Sequence, residues 1–71
     1  MSLSFTGDAL KTIHTANYRA IGSHGELIIA EASHEAVQDC GEAAVQQKAS
    51  SKYDEAQVLN NIITVKTSDF R

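Results

Sequence analysis

The sequence predicts an α+β domain: a small, mostly antiparallel sheet, made of an N-terminal strand, a β-hairpin and a C-terminal strand, with one or two helices packed on one face. Three observations lead there. β-branched and aromatic stretches flank a single Ala-, Gln- and Glu-rich run, Ser33 to Tyr53, the only one long enough to be helical. Gly22-Ser23-His24-Gly25 sets two glycines around two polar residues, the signature of a tight hairpin turn. At 71 residues, with no internal repeat and no linker, residues 1–71 form one small domain.

Ser2 to Thr6 alternates polar and apolar residues, which places Leu3 and Phe5 on one face of a short strand that Gly7 and Asp8 end. Ala9 to Thr12 has no clear period. Asp8 is a candidate cap for a single helical turn there, with Leu10 and Ile13 packing over the edge of the core. Thr15 to Ile21 then forms the first hairpin strand and Glu26 to Ala32 the second. Ala16, Tyr18 and Ala20 share one face of the first; Ile28, Ala30 and Ala32 share one face of the second, with Leu27 and Ile29 on the other. A strand that is apolar on both faces is expected in a central position or under a second covering layer.

Ser33 is the expected N-cap of the helical region, its hydroxyl accepting an orphan amide, and Glu35 suits the positive end of the helix dipole. Ala36, Val37, Cys40, Ala43 and Ala44 recur at helical spacing as a narrow stripe of small residues, which lets a helix approach a sheet closely. Gly41 interrupts the run at a cost of about 1 kcal/mol relative to Ala. Asp39 and Glu42 read as a second capping signal, so the region divides into helices over 34–40 and 42–52. The second carries Val45, Ala49 and Tyr53 on one side and turns Gln46, Gln47, Lys48 and Lys52 to water. Asp54 to Asn61 connects onward, anchored by Val58 and Leu59 and turning at Asn60-Asn61. Ile62 to Thr67 is a strand by its β-branched content, again apolar on both faces at its start, and Phe70 docks behind it.

The opening strand with Phe5, the Tyr18 to Ala32 hairpin, the segment Ser33-His34-Glu35-Ala36-Val37-Gln38-Asp39 and the ending from Lys52-Tyr53-Asp54 through Ile63-Thr64-Val65-Lys66-Thr67-Ser68-Asp69-Phe70 resemble a family of small bacterial proteins, domain of unknown function 1488. The resemblance covers most of the chain, although this sequence is shorter than the family norm between Cys40 and Tyr53. It implies a compact antiparallel sheet with helical cover and no established activity.

Composition removes several function classes. Net charge is −3, and the six Lys and Arg residues form no cluster, which argues against a nucleic-acid surface. A basic face would have to be assembled from Lys11, Arg19, Lys48, Lys52 and Lys66. No apolar run approaches the roughly 20 residues of a membrane-spanning helix. The lone Cys40 has no internal partner, which fits a reducing compartment, so the expectation is a soluble cytoplasmic protein.

Chemistry-bearing motifs are equally sparse. His14, His24 and His34 lack ligand spacing, and His34 and Cys40 stand roughly 240° apart around a helix, so neither a metal nor another cofactor is predicted. Gly22-Ser23-His24-Gly25 precedes a strand and not a helix, which removes the helix amides that hold phosphate. Cys40, beside Val37 and Ala44, reads as a buried small hydrophobe and not as a nucleophile.

The informative surplus is apolar. One helical layer covers one face of a sheet, so Leu27, Ile29, Ile62 and Ile63 supply an interface, and the predicted function is a non-enzymatic interaction or structural module. The expected partner is a second copy, joined through sheet faces or edges, with an unidentified protein as the other candidate. Two competing readings remain: Leu10, Ile13 and Phe70 folding over that face in a monomer, or a small enzyme or ligand-binding protein using Cys40, His34 and Tyr53 in a groove between helix and sheet.

Overall fold

The computed structural model describes residues 3–70, so the strand start read at Ser2 and the tail residue Arg71 lie outside the described residues. The strands are β1 (Ser4–Lys11), β2 (Thr15–Ile21), β3 (Leu27–Ser33) and β4 (Ile62–Val65), and between β3 and β4 come helices α1 (His34–Cys40) and α2 (Glu42–Asp54). A 3-10 turn, Thr67–Phe70, closes the described chain. The sheet order is β1-β2-β3-β4, antiparallel except for the β3–β4 pair, which the helical crossover makes parallel.

The hairpin forms where glycine and β-branched residues predicted it, with Ala16 opposite Ala32, Tyr18 opposite Ala30 and Ala20 opposite Ile28. These six side chains are all buried beneath the helices. Ile63 and Val65 join them from β4, Ala36 from α1, and Val45 and Ala49 from α2, so the core is one layer between sheet and helices. Its many alanines allow the helix backbones to lie close to the strands, and Tyr18, Ile28, Ile63, Val45 and Val65 fill the space left over.

Gly7 and Asp8 do not end the first strand. β1 continues to Lys11, because Phe5 pairs with Ala20 and Ala9 with Tyr18, leaving Thr6, Gly7 and Asp8 opposite the single residue Arg19. This bulge needs glycine: Gly7 has φ 93°, in the region other residues avoid. Asp8 therefore caps no helical turn. Its side chain accepts from the Thr6 hydroxyl at 3.2 Å while its N–H donates back to Thr6 Oγ1.

The helical region divides as the sequence predicted, but for a different reason. Ser33 caps α1, its hydroxyl accepting the Ala36 amide at 3.1 Å. Asp39 lies inside α1, and the cap of α2 is Gly41 itself, at φ 89°, with no side-chain hydrogen bond. The break thus comes from glycine's backbone freedom and not from an Asp39–Glu42 capping box. Of the small-residue stripe only Ala36 is fully buried; Cys40 is half-buried and Ala43 exposed.

At its far end α2 closes with the Gln57 N–H bonded to Lys52 O and the Ala56 N–H to Tyr53 O, the hydrogen-bond pair of a Schellman termination. Ala56 occupies the left-handed position, φ 61°, that glycine usually fills. Asn60 and Asn61, at φ 51° and 62°, then make the predicted turn into β4.

Candidate interaction surface

Side chains alternate across a sheet, so burying Ala16, Tyr18, Ala20, Ile28, Ala30, Ala32, Ile63 and Val65 fixes what faces the other way. On that open face Ile21 pairs with Leu27 across β2 and β3, and Ile29 pairs with Ile62 across β3 and β4. Leu10 enters it from β1, opposite Asn17. The relative exposures of Ile21, Leu27, Ile62 and Leu10 are 37%, 47%, 40% and 67%, and Ile29 is half-buried. The sequence-predicted interface therefore loses one member: Ile63 is fully buried in the core, because the period-2 alternation that turns Ile62 outward turns Ile63 in.

No segment among the described residues folds over this face. Ile13 stands in the β1–β2 connection with 88% of its surface exposed. Phe70 docks, as predicted, but on the helical side, with Lys48 Nζ 5.6 Å above its ring and Ala44 and Ser51 nearby.

Both edges of the sheet are blunted. On the outer edge of β4, the Ile62 N–H and C=O are closed on Leu59 at 2.9 and 3.1 Å, and Thr64 O accepts Lys52 Nζ at 2.7 Å. The same Nζ donates to Asp69 Oδ2 at 2.8 Å, and the carboxylate also takes the Lys66 N–H at 2.7 Å. Burial alone would raise the Asp69 carboxyl; the hydrogen bonds from Lys52 and Lys66 and the charges of Lys52 and Lys48 outweigh it and hold the group below the ordinary aspartate range. On the other edge, β1 carries the bulge, Asp8 and Lys11. Short, bulged and charged edges resist pairing with another strand.

Polar groups sit within the apolar field. Asn17 lies opposite Glu31, and Arg19 opposite Ile29. Arg19 approaches Asp8 at 3.7 Å in an exposed pair, and among the described residues Glu31 has no ion-pair partner. Asn17 Oδ1 is shielded from water and receives no hydrogen bond. An open cleft of about 530 Å³ lies over this group, lined by Asp8, Ala9, Leu10, Asn17, Arg19 and Ile29.

The residues of the catalytic alternative are not brought together. His34 Nε2 bonds Thr12 O where β2 begins and β3 ends. Tyr53 sits at the opposite end, where its hydroxyl donates to Glu26 Oε2 at 2.9 Å and accepts the Ser23 N–H at 2.9 Å. This contact locks the hairpin tip to the end of α2, and its closeness requires Gly22: a Cβ there would lie 2.4 Å from Glu26 Oε1 and 2.7 Å from the Tyr53 hydroxyl. Glu26 is held below the ordinary glutamate range by its own backbone N–H first, then by Tyr53 and the His24 N–H. The groove between β1 and α2 is lined by Leu3, Phe5, Ala43, Gln46, Gln47 and Ser50, without an acid, a base or a thiol.

Among the described residues no three His, Cys, Asp or Glu side chains converge to hold a metal, and no helix is long and apolar enough to cross a membrane. The basic residues divide between surfaces, Arg19 on the open face, Lys48 and Lys52 on the helical side. The sequence missed the edge closures and the hairpin lock; Lys52 and Tyr53 act through partners 12 to 30 residues away, which no local pattern encodes. No protein-family model, curated protein or solved structure matches the chain.

Proposed function

We propose that this chain is a non-enzymatic interaction module of a bacterial cytoplasm that works as a homodimer through the open face of its sheet. The observation that carries the reading is the contiguous apolar surface of Ile21, Leu27, Ile29 and Ile62, two cross-strand pairs left uncovered while every large side chain on the opposite face of β2, β3 and β4 is buried. Contiguous apolar surface of this kind marks association sites. The blunted edges favour a face-to-face arrangement over strand addition, and a two-fold dimer buries the same patch on both copies. A second copy also answers the small size of the domain, since one thin core buries little apolar surface per residue.

The resemblance to domain of unknown function 1488 adds no activity to this reading. Its segments are the opening strand with Phe5, the hairpin, the first helix and the stretch from Lys52 through the final strand to Phe70, which build the sheet and its cover. Replacing Ile29 with aspartate tests the proposal: charge in the middle of the patch is expected to yield a folded monomer, read as native circular dichroism with the mass of a single 7.7 kDa chain. Retention of the wild-type associated mass by Ile29→Asp would move the interface elsewhere.

A further inference from the structure

The four residues at the centre of the open face form a two-by-two block. Asn17 faces Glu31 across β2 and β3, and one step along the same strands Arg19 faces Ile29. The diagonals of the block are Asn17–Ile29 and Arg19–Glu31. A two-fold axis lying between two stacked sheets reflects positions across its own line. Set along the Asn17–Ile29 diagonal, it leaves those two residues facing their own counterparts and exchanges Arg19 with Glu31.

Resting on the dimer reading above, the geometry points to a specific register: the two copies stack with the axis over Asn17 and Ile29, and Arg19 of each copy pairs with Glu31 of the other. Two observations converge on it. Arg19 and Glu31 are opposite charges on one face, and among the described residues Glu31 has no ion pair while Arg19 has only the exposed 3.7 Å contact with Asp8. Ile29, adjoining Ile62, places the apolar centre of the patch on the axis, where both copies contribute it. The spacing of strands and residues then crosses the strands of the two copies at roughly 70°, nearer the orthogonal than the aligned class of sheet packing.

Charge reversal in trans tests the register. Arg19→Glu and Glu31→Arg are each expected to weaken self-association by on the order of tenfold, since each sets like charges against one another twice in the dimer. Mixed in equal amounts, the two variants are expected to form a heterodimer at least as tight as the wild-type dimer, because both cross-pairs are restored. The double variant R19E/E31R is expected to recover wild-type association alone. Asp8→Asn, which removes the local partner of Arg19, should leave association within about threefold of wild type, as expected of an exposed ion pair. Native mass spectrometry of the mixture reads the result, with circular dichroism of each chain confirming that it folds. A wild-type dimer whose single variants associate normally, or whose mixture shows no preference for the heterodimer, overturns the register and leaves the dimer reading standing. A wild-type chain that stays monomeric overturns both.

Discussion

The two faces of the sheet have the same kinds of apolar residue in them and opposite fates. Under the helices, Ile28, Ile63 and Val65 lose essentially all their exposure; on the other side, Leu27 and Ile62 keep nearly half. β2 repeats the contrast with polar atoms, since the neighbouring residues Tyr18 and Asn17 each bury an oxygen without a partner, one toward the helices and one toward the open face. Tyr18 pays for its position through burial and, secondarily, the charge of Glu42, both of which push its hydroxyl pKa up. Both orphans are shielded within the single chain, so each is a cost; the faces differ in their apolar side chains, which the helices cover on one side and leave exposed on the other.

The largest expected effect follows from exchanging neighbours in β4. Ile63→Ala opens a cavity in the core and should cost about 2–5 kcal/mol of unfolding free energy. Ile62→Ala, one residue away, should change monomer stability by under about 1 kcal/mol and weaken association instead. Denaturant titrations well below the association concentration separate the two, and similar costs at both sites would break the contrast between faces.

Acid is the next lever. Asp69 and Glu26 have folded pKa values below their ordinary values of 3.8 and 4.5. A depressed carboxylate contributes stability that is fully present above its unfolded pKa and is lost as pH falls through the folded one. Stability should therefore hold from neutrality to about pH 5 and decline below it. Lys52→Met should flatten the Asp69 part of that acid limb, and Tyr53→Phe, losing the hydroxyl that joins Ser23 to Glu26, should cost about 1 kcal/mol at neutral pH. Thermal melts between pH 3 and about pH 7 check both. An unchanged acid limb in Lys52→Met would mean that the Lys52–Asp69 pair does not hold the β4 edge in solution.

Tyr18→Phe should be neutral or stabilising by under about 1 kcal/mol, because it deletes a buried hydroxyl that has no partner, and association should be unaffected. The smallest effect belongs to Ala56→Gly, which relieves a left-handed alanine and should stabilise by about 0.5 kcal/mol without touching either face. Loss of stability in Tyr18→Phe would mean the hydroxyl has a partner in solution.

Much of this arrangement is legible in the sequence where the signal is local. The paired glycines fix the hairpin, Ser33 fixes the start of α1, and Asn60-Asn61 fix the last turn, since each acts within a few residues of itself. The open face was legible from Leu27 and Ile29, and the choice between Ile62 and Ile63 waited only on the phase of β4. Gly7 misled because the same residue that ends a strand also makes a bulge, and only the pairing with β2 distinguishes them. Asp39 and Glu42 imitated a cap that Gly41 provides by backbone geometry alone. Cys40 fell outside the core because α1 ends there, at the rim of the sheet.

The central claim, that the open face is covered by a second copy, is tested most directly by light scattering of the wild-type chain across a dilution series. A mass near twice 7.7 kDa is expected at high concentration, falling toward one chain only on dilution below the dissociation constant. A mass of one chain at every concentration would contradict it and leave Ile21, Leu27, Ile29 and Ile62 uncovered by a second copy.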